Sequence, residues 1–406
     1  MYFQSHSSAV TSAFIQLHNK GLIYRKSDMI NWSCALQSAI SDIEIEHVDV
    51  SKPTLISIPG YEKPIKFGVL TDIAYKIGDE NSNEEIIVST TRPETLLGDT
   101  AIAVHPDDSR YQHLRNKFAW HPFRKCKIPI IFDDFVDKNF GTGAVKVTPA
   151  HSLVDFEIGK KLNLEILNIF NESGFISLEG EFKGLKRFDA KKVICDRLQN
   201  LGLLKGHRDH NTTIPICSRS GDVIEMMIKP QWFLKTEELA QKLKNAIEEN
   251  KLKIQPNYQE GLILSKWIKN NRDWNLSRQL WWGHQIPMYE CSANNDKIWV
   301  AAKDLNEAKI KAVEKFKVPA EEIQIVQDSD VLDTWFSSSL LPITRLGWPD
   351  CGEEFHECYP LSLMETGHDI VFFWVARMVM LGLELTGLSD FKNFLYFMSL
   401  INEILV

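Results

Sequence analysis

The sequence has no Cys-x-x-Cys pair, no internal repeat, no low-complexity tract and no long apolar run. Its seven cysteines (Cys34, Cys126, Cys195, Cys217, Cys291, Cys351 and Cys358) are scattered and odd in number. That argues against a disulfide framework and a cysteine zinc site, and it fits a reducing compartment. The longest apolar stretch, Ile370 to Ala376, runs into Arg377, so nothing spans a bilayer. The opening Met1-Tyr-Phe-Gln-Ser-His is short and polar, unlike a secretory signal. There is no basic excess either: 46 basic against 54 acidic residues give a net charge of −8. A uniformly basic nucleic-acid coat is excluded, but a local groove is not. What remains is ordinary globular material, 44% hydrophobic and 25% charged over 406 residues. At about 100–200 residues per domain, two to four domains are expected.

Periodicity gives a coarse map. Val10, Ala13, Phe14 and Leu17 sit at helical spacing, with Ser7 or Ser8 as a cap and Gly21 as the stop. Residues 52–70 turn to Pro, Gly and β-branched content, a strand-and-turn texture. Ile86–Thr90, Ala101–Val104, Ile128–Ile131 and Ala144–Thr148 read as strands, and Leu153–Leu162 and Asp189–Leu203 as helices. Thr236 is placed to cap a helix carrying Leu239, Leu243, Ala246 and Ile247, and Ile370–Leu385 reads as a buried helix. Breaks near residues 55 and 214 enclose about one domain length. The pattern expected is one domain, 55–214, inserted between a segment 1–54 and a segment 215–406.

Five strings carry chemical residues. In Gly141-Thr-Gly-Ala-Val-Lys-Val-Thr-Pro-Ala-His-Ser-Leu-Val-Asp155, strand alternation sends Val145 and Val147 to a core and Lys146 and Thr148 to the other face. Ser152 to Asp155 has capping-box spacing. The bland reading makes Asp155 a helix cap and Lys146 a solvated charge. The functional reading gathers a cation, a hydroxyl and a carboxylate around a zwitterionic or ester substrate. In Thr90-Thr91-Arg92-Pro93-Glu94-Thr95, Pro93 suits a first helical turn, whose N–H groups attract anions or simply cap. Trp281 and Trp282, in Trp274–Pro287, suit an apolar wall, a base stack or a core. Asp330–Ser338 is the fourth string and Glu365-Thr-Gly-His-Asp369 the fifth. The Gly and carboxylate of the fifth fit a ribose contact at a strand-to-helix junction. The basic runs Arg124–Lys127 and Lys183–Lys192 read as solvated faces before phosphate contacts.

Together with Asn31–Asp42, Thr90–Thr95, Gly141–His151, Ser277–Pro287, Asp333–Ser338 and Thr366–Met378, these strings resemble the valyl branch of the class I aminoacyl-tRNA synthetases, in the family's order along nearly the whole chain. The resemblance implies an α/β fold: a Rossmann-type catalytic domain interrupted by a β-rich editing domain. It implies ATP and Mg2+ in the full-length enzyme, with no tightly bound cofactor and no metal in this stretch. The implied partners are tRNA(Val), valine, and threonine as the edited amino acid; a monomer is expected. Pro215–Glu225 and His151-Ser152 resemble the mitochondrial animal form, so the mitochondrial matrix is expected, with the cytoplasm as the alternative. For editing, the resemblance assigns catalysis to Asp155, Lys146 and Thr148. It assigns substrate contact to Thr90, Thr91, Arg92, Thr95 and His151. For the synthetic site it assigns Trp282, Trp335, Gly367 and Asp369. Ser152 stands where such enzymes usually carry Asp. The His-Ile-Gly-His and Lys-Met-Ser-Lys-Ser signatures are absent, so a fragment unable to activate valine alone is expected. A non-catalytic tRNA- or nucleotide-binding fragment and an isoleucyl-type editing domain are the alternatives; Arg92-Pro93-Glu94 argues against the second.

Overall fold

A computed structural model describes residues 2–255, 272–367 and 370–397. The chain divides into two compact units, one of residues 1–26 and 230–406, the other of residues 27–229. Both crossings between them fall inside strands, Ile23–Ser33 and Glu225–Leu234. The segment read as 55–214 lies wholly within the second unit.

The first unit holds the apolar helices. The opening helix runs Tyr2–Asn19, so it begins before the serines expected to cap it. Its stripe of Val10, Ala13, Phe14 and Leu17 is buried, and Gly21 stops it at φ +73°. Leu361–Gly367, Phe391–Phe397 and Lys253–Gln255 form a parallel three-stranded sheet. Parallel neighbours need a crossover. Between the first two strands it is a π-helical turn, Val371–Ala376, followed by the α-helix Arg377–Thr386. The helix expected at Ile370–Leu385 is therefore present, but wound wider in its first half. Met378, Val379, Met380 and Leu381 lie in the core. A separate antiparallel sheet of Met288–Ala293, Asp296–Ala301 and Gln324–Gln327 turns at Asn294 and Asn295, both at positive φ as a two-residue hairpin requires.

The second unit is built on a seven-stranded sheet. Its order is Ala144–Val147, Ala101–Val104, Lys127–Phe132, Phe118–Trp120, Val69–Ile77 and Leu204–Asp209, with Glu85–Thr90 also paired to Val69–Ile77. Glu85–Thr90 comes up against Ala144–Val147, so the sheet is a nearly closed barrel. Ile73, Tyr75, Ile86, Val88, Ile102 and Val104 fill its interior. The helix Arg187–Asn200 packs on it through Ala190, Ile194 and Leu198, and the helix Leu153–Leu162 follows the strand Ala144–Val147. All four strands expected here are present within one residue at either end.

Candidate active site

Lys146 lies opposite Ile102 in an antiparallel ladder. Alternation sends Val145 and Val147 into a small cluster with Ala101, Ala103 and Val136. Lys146 takes the opposite side with Ala144, whose neighbours are the barrel core. It is 7% exposed, which rules out a solvated charge. A buried ammonium must be paired and hydrogen-bonded. Its Nζ donates to Asp99 Oδ1 at 2.8 Å, Thr95 Oγ1 at 2.8 Å and Thr148 Oγ1 at 2.6 Å. Those are all three protons it has. The Thr148 hydroxyl donates to Asp99 Oδ1 at 2.6 Å, and the Tyr75 hydroxyl donates to Asp99 Oδ2 at 2.5 Å. Burial and the Asp99 anion push the Tyr75 phenol upward, so it stays a donor. Asp99 is therefore the hub, fully buried and fully engaged. Tyr75→Phe is expected to leave Oδ2 without its donor and to lower stability by about 1–3 kcal/mol in urea unfolding. A change near zero would mean that water replaces the phenol.

Asp155 sits in the first turn of Leu153–Leu162. Ser152 is the N-cap, and its Oγ accepts the Asp155 N–H at 3.4 Å. The reciprocal half of the capping box is not made. Instead Asp155 Oδ2 accepts the Thr148 N–H at 2.7 Å. The carboxylate is thus turned toward the strand end that carries Lys146 and Thr148. The Ser152 side chain also hydrogen-bonds this carboxyl and, like the Thr148 N–H, favours its anion. Thr148 joins the two halves, its N–H on Asp155 and its hydroxyl on Asp99. Two glycines permit this closeness. A Cβ at Gly98 would stand 3.0 Å from Thr148 Cγ2, and one at Gly159 would stand 2.9 Å from Pro149 Cβ. Burial raises the Asp155 pKa above its ordinary value, against the opposing pull of the Thr148 N–H and Lys146. Folding thus favours the neutral acid, whereas gripping a cation needs the anion. The acid limb of a kcat/KM profile is expected above the ordinary aspartate value of about 3.9. A limb at or below that value would remove Asp155 as the controlling group.

The Thr90–Thr95 string ends one strand and enters a six-residue 3-10 helix, Pro93–Gly98, not an α-helix. Thr90 Oγ1 accepts the Arg92 N–H at 3.0 Å, and Thr95 N–H donates to the Arg92 carbonyl at 3.2 Å. These N–H groups are closed within the turn, not open to an anion. Thr91 is half-buried, and its carbonyl accepts Lys191 Nζ at 3.4 Å. Arg92 is committed: Nε donates to Glu94, NH1 to the His151 carbonyl at 3.1 Å, and NH2 to both Glu225 oxygens at 2.8 and 2.6 Å. His151 is buried, and its Nε2 accepts the Ile169 N–H at 3.2 Å. The neutral ring therefore carries its proton on Nδ1, 3.4 Å from Glu225 Oε1.

The residues assigned to the other half lie in the first unit. Trp335 is half-buried against the core. Trp281 and Trp282 are 95% and 83% exposed and line no core. Gly367 ends a parallel strand, and Asp369 lies outside the described residues. Among the described residues no cluster of three metal-ligating side chains occurs.

Four important residues escaped sequence reading: Asp99, Tyr75, Glu225 and Arg187. Asp99 had one available signal, since a lysine facing a core demands a counter-ion. Arg187 sits inside a basic run expected to be solvated, yet it is 1% exposed, donating to Asp222 at 2.6 Å and Glu225 at 3.2 Å. It is the first residue of its helix, turned inward to two acids.

A family model described as tRNA synthetases class I (I, L, M and V) matches residues 1–403. The chain is 48% identical over 398 residues to a valine–tRNA ligase of Takifugu rubripes, aligning 95% of this chain and 32% of that protein. The human valine–tRNA ligase is 47% identical over 398 residues, 95% and 31%. A mitochondrial valine–tRNA ligase of Saccharomyces cerevisiae is 47% identical over 397 residues, 95% and 36%. The chain spans about a third of the length of the curated relatives it matches. Identity is the same for the human and the yeast mitochondrial relative, so it does not discriminate compartment. Among solved structures, the ternary complex of Agrobacterium radiobacter K84 LeuRS, tRNA and LeuAMS matches 97% of this chain and 52% of that one, at 16% identity and a TM-score of 0.34.

Proposed function

Since the chain belongs to the class I tRNA synthetases, we propose that it is the part of a valine–tRNA ligase that contains the editing centre, and that its second unit hydrolyses threonine mischarged onto tRNA(Val). One observation carries this reading. A buried ammonium–carboxylate–hydroxyl network, Lys146, Asp99, Thr95 and Thr148, shares Thr148 with a second, part-buried carboxylate, Asp155, that no side-chain cation pairs.

The chemical need is plain. Threonine and valine differ by a hydroxyl for a methyl. An apolar synthetic pocket cannot strongly reject an isostere that merely adds a hydroxyl, and valyl enzymes facing threonine are the known example. A second site built to hydrogen-bond that hydroxyl can tell them apart, because valine would leave its polar groups unpaired. In this reading Asp155 Oδ1 takes the substrate α-ammonium, and the Thr148 oxygen meets the threonine hydroxyl. Lys146 has no free proton to offer, so it fixes the rotamer of Thr148 and is a positioning residue. Thr95 and Asp99 support it in the same way. Thr90, Thr91 and Arg92 shape the turn beside the ester and terminal adenosine. Water is the nucleophile.

Class membership also implies ATP as the cosubstrate of amino-acid activation. Gly367, at the carboxyl end of a parallel strand, is where an open α/β sheet receives a nucleotide. Valine and tRNA(Val) as partners, and the mitochondrial matrix as the compartment, belong to the same proposal. The test is deacylation of threonyl-tRNA(Val) by the chain. Turnover that exceeds spontaneous hydrolysis, with valyl-tRNA(Val) spared, is expected. Equal hydrolysis of both esters would remove the discriminating role, and no hydrolysis would leave a binding fragment.

A further inference from the structure

We propose that Glu225, from the start of the strand Glu225–Leu234, is a positioning residue that sets the separation between the two halves of the editing site. The proposal rests on the editing reading above, and it adds a residue that touches no substrate group in that reading.

Glu225 is wholly buried, and its carboxylate meets two arginines and a histidine ring. Arg92 NH2 donates to both its oxygens, Arg187 NH1 donates to Oε2 at 3.2 Å, and the His151 Nδ1 proton faces Oε1 at 3.4 Å. Burial alone would raise its pKa, but Arg92, His151 and Arg187 outweigh burial and hold the carboxyl well below the usual range. It is thus an anion clamped by two arginines, with the His151 ring beside it.

What the clamp holds is the linker of the site. Arg92 NH1 donates to the carbonyl of His151 at 3.1 Å. His151 lies between Thr148, which carries the hydroxyl check, and Ser152, which caps the helix that presents Asp155. Glu225 therefore fixes this linker through the Arg92 bridge to the backbone, and the His151 ring only lies beside it, its Nδ1 3.4 Å from Oε1. Arg187 is itself held by Asp222 at 2.6 Å and by the Val223 carbonyl at 2.6 Å, so the anchor cannot slide. Threonine is told from valine only if ammonium and hydroxyl are engaged together, which requires a fixed separation between Asp155 and Thr148. A displacement of about 1 Å at such a site costs about 10²-fold in rate.

The test compares hydrolysis of threonyl-tRNA(Val) and valyl-tRNA(Val) by the 406-residue chain and by Glu225→Gln, below the melting point of each. The expected result is a fall in kcat on the threonyl ester of about 10–100-fold, with the threonyl-to-valyl rate ratio collapsing by about tenfold. A purely structural role would shrink the active fraction and lower both rates equally, leaving the ratio unchanged, and that result would overturn the proposal. So would unchanged kcat in a folded variant. Because two buried arginines are left undercompensated in Glu225→Gln, Arg92→Lys is the second variant. It keeps a charge beside Glu225 but lacks the planar fork that sets NH1 on the His151 carbonyl and NH2 on Glu225, and it is expected to lose the same ratio. Glu225→Asp, with the carboxylate retained, is expected to recover part of it. If the unsubstituted chain hydrolyses neither ester, the editing reading fails first and takes this inference with it. If it hydrolyses the threonyl ester selectively and both variants do too, only Glu225 is dismissed.

Discussion

Asp155→Ala is expected to lower kcat/KM for threonyl-tRNA(Val) hydrolysis by about 10²–10³-fold. The size of the effect follows from the ion pair that the substitution removes. Truncating one member of a partly buried, hydrogen-bonded charge pair costs about 2–5 kcal/mol, and each 1.4 kcal/mol is about tenfold. The substrate ammonium would be deprived of its only anionic partner in the proposed site. Asp155→Asn is expected to fall between the two, since an amide oxygen can still accept a hydrogen bond but carries no charge. Both variants also remove or weaken the bond to the Thr148 N–H, so melting curves must accompany the rates. A folded Asp155→Ala that deacylates at the unsubstituted rate would return the residue to helix capping.

The second large effect concerns stability. Lys146→Met removes the cation from a fully buried Asp99 and leaves the Thr95 and Thr148 hydroxyls without their common donor. Breaking a buried pair by removing one partner costs about 3–5 kcal/mol, a large share of the few kcal/mol that keep a domain folded. The double variant Lys146→Met with Asp99→Leu is expected to recover much of that loss, because an apolar pair leaves no uncompensated charge. It should not recover threonine selectivity, since nothing would then hold the Thr148 hydroxyl in place. Denaturant unfolding of the two variants checks the first point and ester hydrolysis the second. A single variant as stable as the parent would mean that Asp99 is compensated by something other than Lys146.

The strands and helices of the second unit were legible because their apolar rhythm is local. Val145 and Val147 against Lys146 is a two-residue rhythm, and a period of two is visible without a partner strand. What alternation cannot say is whether the other face meets water or a second core. In a nearly closed barrel both faces are covered, so Lys146 is buried and the solvated reading fails. Its counter-ion, Asp99, precedes the neighbouring strand and is 47 residues away in sequence. Arg187 was misread for a related reason. A run of basic residues describes composition, whereas the direction of one side chain at a helix start depends on acids, Asp222 and Glu225, that arrive from a distant part of the chain. Ser152 and Asp155 gave a capping box by spacing. The box forms by half, because the Thr148 N–H at the end of a strand competes for the carboxylate. In the first unit the apolar run at Ile370 was legible, but its π-helical turn was not, since composition does not report helical winding.

The central claim is a geometry: one carboxylate for an amine and one buried hydroxyl network for an alcohol, joined at Thr148. A crystal structure of the chain with a non-hydrolysable threonyl-adenosine amide tests it most directly. The ligand ammonium is expected at hydrogen-bond distance, about 2.7–3.2 Å, from Asp155 Oδ1, with the threonine hydroxyl against Thr148 Oγ1. An ammonium turned to solvent, with Asp155 still bonded only to its own turn and the Thr148 N–H, would contradict it.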